Sequence, residues 1–326
     1  MRRREVIAGL AGAAAWPLLA RAQEQDYPTR QITLIAPWPA GGSIDALCRA
    51  LTPGMGDRLG KPVVVENRAG AGSTIGTAAC AKAAPDGYTL VMAGSGSLAI
   101  SPTLYKKLPY DPAKDFAPVK LAAYVPFMLV LHPSVPAHSV AELVSYAKSN
   151  PGKLSYASGG PGSPHHLYAE LFKTLTGIEM LHVPYKGNAP ALTDVMAGHV
   201  SLMFSDPVVA LPQVRAGKLL ALGVTSAKRI PSASDIPPLA EVGVPSFNTA
   251  GWGMIVAPAH TAGPIVARLH AALDDILTES DVQEQISNLG MIPAPNQPSA
   301  ELQSFIDSEM VRWGKVVQQA GLAGSE

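Results

Sequence analysis

The chain has 326 residues, 47% of them hydrophobic and 15% charged, with 25 basic and 25 acidic side chains. That length and apolar content suit one or two globular domains with sizeable cores, and a formal charge of zero gives no electrostatic footprint for nucleic acid. The 30 glycines and 30 prolines are spread out without a low-complexity run, so they mark tight connections, not disorder.

The chain opens with an export signal. Arg2, Arg3 and Arg4 precede an uncharged stretch from Val6 to Ala20, and Ala20-Arg21-Ala22 fits a small-x-small cleavage site. The stretch falls short of the roughly 20 residues that a membrane span needs. Arg3-Arg4-Glu5-Val6-Ile7 fits a twin-arginine route as well as an ordinary secretory one. Cleavage of residues 1–22 removes Arg2, Arg3, Arg4 and Arg21 against Glu5, leaving a mildly acidic mature chain that begins near Gln23. No later segment reads as a membrane span, so a periplasmic protein is expected.

Ile32–Ala36 reads as a buried strand, residues 37–42 as a Pro/Gly loop, and a helix opens at Ser43. Such a junction aims unpaired N–H groups and a helix N-terminus at one point, a seat for an anion. Gly41 and Gly42 let the backbone approach a ligand because no Cβ intervenes. The loop has no nucleophile and no general base, so its chemistry is holding. The unit recurs as strand 63–66, loop NRAGAGST and helix IGTAACAKA, and again as strand 154–157, loop SGGPGSPHH and helix LYAELFKTL. In open α/β sheets ligands sit outside the carboxyl ends of the strands.

Between these units, residues 88–93 read as a strand ending in a loop at 94–97, and 111–116 as a polar turn. Residues 119–124 and 128–132 are short apolar runs split by Pro126. Ser139 starts a helix with a capping box closed by Glu142, and Val140, Leu143, Val144 and Ala147 share its apolar face. After the third unit come a strand at 179–182, a turn at 184–188, a helix at 189–198 and the strand Leu202–Ser205, which ends at Asp206. A helix then opens at Pro207 and a strand spans 219–224. Residues 231–245 read as a Pro-rich surface crossover and 252–257 as a last strand. Helices open near Gly263, Ser280 and Ser299. Alternating strands and helices imply parallel sheets, and their number implies two α/β domains, crossed near Tyr124 and near Val224, with the last helices packed back on the first. No internal repeat emerges.

The pattern resembles the periplasmic solute-binding proteins of tripartite tricarboxylate transporters, the Bug family. The resembling stretches are residues 27–45 (YPTRQITLIAPWPAGGSID), VVVENRAGAGSTIG, APDGYTL, YDPAKDFAPV, the GSPHHL block, HVPYKG, GKLLALGVTS and Arg312-Trp313, in that order through nearly the whole mature chain. The resemblance implies a type II periplasmic-binding-protein fold: two α/β lobes around a ligand cleft, joined by two crossover strands. The first lobe is expected from residues 23–124 plus 225–326 and the second from 125–224. The cleft is expected to hold a di- or tricarboxylate, an acidic amino acid or an aromatic acid, its carboxylate gripped largely by backbone amides. Trp38 departs from a common Phe, Cys48 and Cys80 from small residues, and Pro53 falls inside the first helix, where it should kink or shorten it. The two cysteines read as small buried side chains, with a bridge as the lesser alternative in a compartment that permits one.

The expected ligand-binding residues are Trp38, Ala40, Gly41, Gly42, Asp45, Ser73, Thr74, Ser95, Ser158, Gly159, Ser163, His166, Tyr185, Lys186 and Asp206. Several carry a second reading. Asp45 sits in a first helical turn, where it complements the helix dipole. Ser73 or Thr74 can be an N-cap, Lys186 a solvated surface lysine, and Asp206 either a cap or a partner for an ammonium or hydroxyl. His165 and His166 do not face the same way on a helix and have no spaced Glu or Cys, so no metal is expected. Nor is a cofactor: Gly70-Ala71-Gly72 lacks the third glycine of a dinucleotide fingerprint, Ile75 standing there. No G-x-S-x-G elbow, H-E-x-x-H motif or spaced Cys–His pair supports a secreted hydrolase. The expected role is a monomeric, non-enzymatic binding protein that is not membrane-embedded. It would deliver its carboxylate by hinge closure to membrane transporter subunits, or present it to a sensor kinase's extracellular domain.

Overall fold

The computed structural model describes residues 27–326, so the expected export signal at 1–22 and the mature start near Gln23 lie outside the described residues. β1 (Ile32–Ala36) feeds α1 (Ser43–Leu59), β2 (Val63–Asn67) feeds α2 (Thr74–Ala81), and β3 (Thr89–Gly94) feeds a wide helical turn (Ser95–Ile100) that continues as α3 (Ser101–Leu104). β4 (Phe116–Val125) is followed directly by β5 (Met128–Leu131). Next come α4 (Val140–Ser149), β6 (Ser155–Ser158), α5 (Pro164–Thr176), β7 (Leu181–Pro184), α6 (Asn188–Met196), β8 (Leu202–Ser205), α7 (Pro207–Arg215) and β9 (Leu220–Val224). The chain ends with β10 (Gly251–Pro258), α8 (Gly263–Thr278), α9 (Ser280–Asn288), β11 (Ile292–Pro293) and α10 (Ser299–Gln319).

Two sheets result, ordered β11-β4-β10-β3-β1-β2 and β7-β6-β8-β5-β9. They are mixed, not purely parallel as expected. β10 runs antiparallel to β3 and β4, and β5 runs antiparallel to β8 and β9. These strands enter their sheets without the helical crossover that forces a parallel partner. β5 and β10 are buried along their whole length, and their near-continuous apolar runs follow from burial on both faces.

Three further expectations are corrected. The loop placed at 94–97 is the start of the wide turn, so β3 also ends in a helical junction. α1 continues through Pro53 to Leu59, so the proline does not shorten it. The proline lies on the exposed face, and the Arg49 carbonyl that it deprives of a partner belongs to an exposed residue that water can serve. The segment 231–245 is packed, not a surface crossover: Ile230, Ala233, Ile236 and Leu239 are all buried. Two short 3₁₀ turns, Pro231–Ala233 and Leu239–Glu241, place Ala233 and Leu239 inward, and Ile230 and Ile236 are buried beside them.

The sequence explains the local features that hold the remaining elements. Ser139 Oγ accepts the Glu142 N–H at 3.2 Å to cap α4, while Glu142 Oε2 accepts the His138 N–H at 2.6 Å, one residue before the cap. α8 packs on α1, and α10 lies on β4 while reaching α5 of the second sheet, where Trp313 meets Tyr168 edge-on at 5.5 Å. Cys48 and Cys80 are free and buried. No helix among the described residues is long and apolar enough to cross a membrane.

Candidate ligand-binding site

The carboxyl ends of β1, β2, β3, β6, β7 and β8 all point their following loops at one cavity of about 130 Å³ between the two sheets. The first sheet supplies residues 38–44, Ser73, 94–96 and Trp252. The second supplies Pro164, His165, Asn188, Ala189, Asp206 and Val209, and Val125 and Phe127 come from the crossing between them. α1, α5, α6 and α7 therefore all begin at the cavity wall. α5 and α7 open on Pro164 and Pro207, which have no N–H, and the His166 and Val209 amides are already taken. The unpartnered first-turn amides at the wall are therefore chiefly those of α1 and α6. With the positive end of the helix dipoles they present an anion-holding surface without a lysine or arginine.

Of the expected residues, Trp38, Ala40, Gly41, Gly42, Ser73, Ser95 and Asp206 line this cavity. Gly41 contributes differently from the expectation, because its N–H is already donated to Asp45 Oδ2 at 2.9 Å. Asp45 is buried and also accepts from Arg49 Nε at 3.0 Å and Asn67 Nδ2 at 2.9 Å. Burial alone would push this carboxyl's pKa up, but the Arg49, Gly41 and Asn67 donors outweigh it and hold it below the ordinary carboxylate range. Asp45 thus pins the loop to α1 and β2. Asn67 Nδ2 also donates to the Trp38 carbonyl at 3.1 Å, so the loop is tied at both ends.

Four expected residues lie elsewhere, and Asp206 plays neither of its simpler roles. Thr74 Oγ1 donates to the Ala71 carbonyl at 2.7 Å and faces a shallow surface depression beside Ile75. Ser163 caps α5, accepting the His166 N–H at 3.4 Å, while its hydroxyl donates to the Gly160 carbonyl at 2.6 Å. Ser158 Oγ accepts the Gly160 N–H at 3.1 Å and meets His182 Nε2 at 2.6 Å. His166 points away from the cavity: its ring stacks on His182 at 4.1 Å, and Nδ1 accepts the Gly162 N–H at 3.3 Å. Asp206 caps nothing with its side chain. Its Oδ2 accepts from Asn188 Nδ2 and lies 3.2 Å from His165 Nε2.

Gly159, Tyr185 and Lys186 line a second, more open hollow of about 530 Å³ on the other side of Trp38 and Pro39. Tyr185 donates its hydroxyl to Asp194 at 2.6 Å, and Lys186 is exposed. Trp38 therefore stands between two spaces, and its ring meets His165 edge-on at 6.4 Å.

The sequence reading passed over Ser43, His165, Asn188, Phe127 and Trp252, all of which line the cavity. Ser43 had a signal, since it follows the Gly-Gly pair and opens α1. Its Oγ is buried and has no hydrogen-bond partner. His165 and His166 were indistinguishable as neighbours; the register of α5 turns the first toward the cavity and the second into the stack. Ser73 adopts a left-handed φ of 82° at the cavity wall, a conformation that a non-glycine residue holds at a cost and that clusters at ligand-holding loops. Among the described residues no three His, Cys, Asp or Glu side chains gather as a metal site.

The His166–His182 stack makes a prediction about acid stability. Burial, then the neighbouring His182 and Lys173, push the His166 pKa down to about 3, and burial also lowers that of His182. In the unfolded chain a histidine takes its proton near pH 6.5. Below that pH the unfolded state binds more protons than the folded one, so stability falls as pH falls. His166 alone should contribute a slope of about 1.4 kcal/mol per pH unit from pH 6.5 toward the folded value. Urea midpoints measured from pH 7 to pH 5 should drop accordingly, and His166→Gln should flatten the curve. A wild-type midpoint constant over that range would rule out a neutral His166 in the folded state.

Two α/β sheets whose helix starts converge on one cavity between them have the architecture of a two-lobed solute-binding protein. The chain matches the tripartite tricarboxylate transporter family receptor over residues 47–322 and belongs to that family. It is 37% identical over 296 residues to Protein BugT of Bordetella pertussis, covering 90% of each chain. Among solved structures it is similar to Rpa4515 of R. palustris with adipate, with a TM-score of 0.87 at 38% identity over 91% of this chain and 99% of that one. It is also similar to MatC (Rpa3494) from Rhodopseudomonas palustris with bound malate, with a TM-score of 0.83 at 35% identity over 89% of this chain and all of that one (100%).

Proposed function

We propose that this protein captures a small carboxylate in the cavity between its sheets and delivers it, in the periplasm, to a tripartite tricarboxylate-type transporter. The observation that carries the reading is the convergence of four helix starts on a cavity where the buried Ser43 hydroxyl has no protein partner. Three or four amide and hydroxyl donors on one carboxylate, at roughly 1.5–3 kcal/mol each, approach the roughly 8 kcal/mol of micromolar affinity before the costs of ordering. The adipate and malate held by similar proteins support a carboxylate guest. The gripping groups are the free first-turn amides of α1 with Ser43, Ser95 and Gly42, while Asp45 and Gly41 hold the loop in shape. Residues 23–124 with 225–326 and residues 125–224 act as two bodies that close on the guest by hinge motion at the crossings. A binding role also fits His165: its Nδ1 has no hydrogen-bond partner, so the His165–Asp206 pair activates no serine among the described residues.

The test is a calorimetric and thermal-shift screen of the mature protein against mono-, di-, tri-, amino and aromatic carboxylic acids. One class should raise the melting temperature by several degrees at about a hundred times Kd and be recovered unchanged after denaturation. Stabilisation only by a non-acidic class would overturn the proposal, and turnover of the bound acid would make the protein an enzyme. Ligand-dependent capture of a sensor kinase alone from membranes would move the partner from transporter to sensor.

A further inference from the structure

The two ends of the cavity differ in charge. At the first-sheet end Ser43 is 2% exposed, its Oγ lacks a partner, and the α1 amides beside it are free for an anion. At the second-sheet end stands the Asp206 carboxylate, 7% exposed. Its Oδ2 is occupied by Asn188 Nδ2 and faces His165 Nε2. Asn188 Oδ1 in turn accepts the Ser205 hydroxyl at 3.1 Å, which fixes the amide's orientation. Among the described residues nothing donates to Asp206 Oδ1. No lysine or arginine lines the cavity.

Asp206 Oδ2 is paired with Asn188 Nδ2 and His165 Nε2, while Oδ1 accepts no hydrogen bond from the described residues and stays open to the cavity, so a guest donor that reaches it replaces only water. A second carboxylate placed there would meet a like charge at close range, which costs affinity. A cavity of about 130 Å³ is close to the size that admits a benzene ring, about 150 Å³. It therefore has room for a short carbon chain against Phe127, Val209 and Trp252.

Building on the carboxylate-binding reading, we propose that the guest is a small zwitterion, its carboxylate held by Ser43 and the α1 amides and its protonated amine by Asp206 Oδ1. Asp206 is then the residue that sets specificity, with Asn188 and His165 as positioning residues that hold its other oxygen.

The experiment compares butyrate, 4-hydroxybutyrate, 4-aminobutyrate, 2-aminobutyrate and succinate by calorimetry on the mature protein and on Asp206→Asn and Asp206→Ser, with circular dichroism confirming that each variant is folded. One of the two amines should bind wild type at least about tenfold more tightly than succinate, and both variants should lose roughly 10- to 100-fold for that amine, the range of a hydrogen bond to a charged group. Succinate should bind the variants no worse than wild type. Succinate preferred by wild type would overturn the inference and leave the carboxylate reading intact. Preference for the hydroxy acid would remove the ammonium. Binding of none of the five would end this inference, while the broader acid screen decides separately whether any carboxylate binds.

Discussion

Gly94→Ala should cost both stability and ligand affinity. A Cβ on Gly94 would sit 2.5 Å from the Trp252 carbonyl oxygen, far inside contact distance and against backbone, not a side chain that can rotate away. Gly94 ends β3, and Trp252 lies near the start of β10, its antiparallel neighbour. Both strands have partners on their other edges, β1 for β3 and β4 for β10. Neither can step aside without breaking a ladder. The requirement is space, since the backbone of Gly94 is ordinary extended chain at φ −157°. Overpacking of this kind costs about 1–3 kcal/mol. Because 94–96 and Trp252 form adjoining parts of the cavity wall, the same displacement should weaken ligand binding by about tenfold or more, the effect of a misplaced contact group. Urea melts and calorimetry on the variant measure the two losses. An unchanged affinity beside a lowered stability would mean that β10 yields without moving the cavity.

Glu309→Ala should be the more damaging change to stability alone. One carboxylate oxygen, Glu309 Oε2, accepts from Trp252 Nε1 at 2.7 Å, Trp313 Nε1 at 3.2 Å and Arg312 Nη2 at 2.7 Å. Trp252 and Trp313 are among the largest fully buried side chains in the protein. Arg312 is 40% exposed, so water takes over its charge and its ion pair counts for little. The two indole N–H groups have no such recourse, and leaving both without an acceptor costs about 2–5 kcal/mol. Glu309→Gln keeps an acceptor and should lose less. The hub also reaches the chain crossings. Arg312 Nη1 donates to Thr249 Oγ1 at 3.0 Å, the Thr249 N–H donates to the Thr225 carbonyl at 2.9 Å, and Thr225 Oγ1 accepts the Phe127 N–H at 2.9 Å. A Glu309→Ala protein that melts with wild type would show that the hub adds no net stability.

How much of this was legible beforehand depends on the range of the interaction involved. The strand–loop–helix junction at 32–43 was readable because a short apolar run, a Pro/Gly loop and a helix-opening serine are all properties of neighbouring residues. So was α4, whose cap and apolar face lie within ten positions. The 231–245 segment was misread because its prolines and short turns signal a surface connection, while burial of Ile230, Ala233, Ile236 and Leu239 depends on what packs against them. Pro53 did not end its helix because the carbonyl it deprives belongs to an exposed residue that water can serve, and exposure of that face is a property of the folded chain.

The sequence by itself determined the α/β class, the recurring junctions with their glycines, and the family that the chain belongs to, since these are written in short-range backbone preferences and in motifs kept in order. Only the tertiary structure decided what those junctions present to a guest. Asp45 and not a ligand takes the Gly41 amide. Of two adjacent histidines, His165 faces the cavity. Asn188 and Asp206 meet from the starts of separate helices, while Trp38 divides the cavity from the outer hollow. Each of these is a choice of partner between segments far apart in the chain, fixed by helix register and sheet order, and no local pattern of residues encodes it.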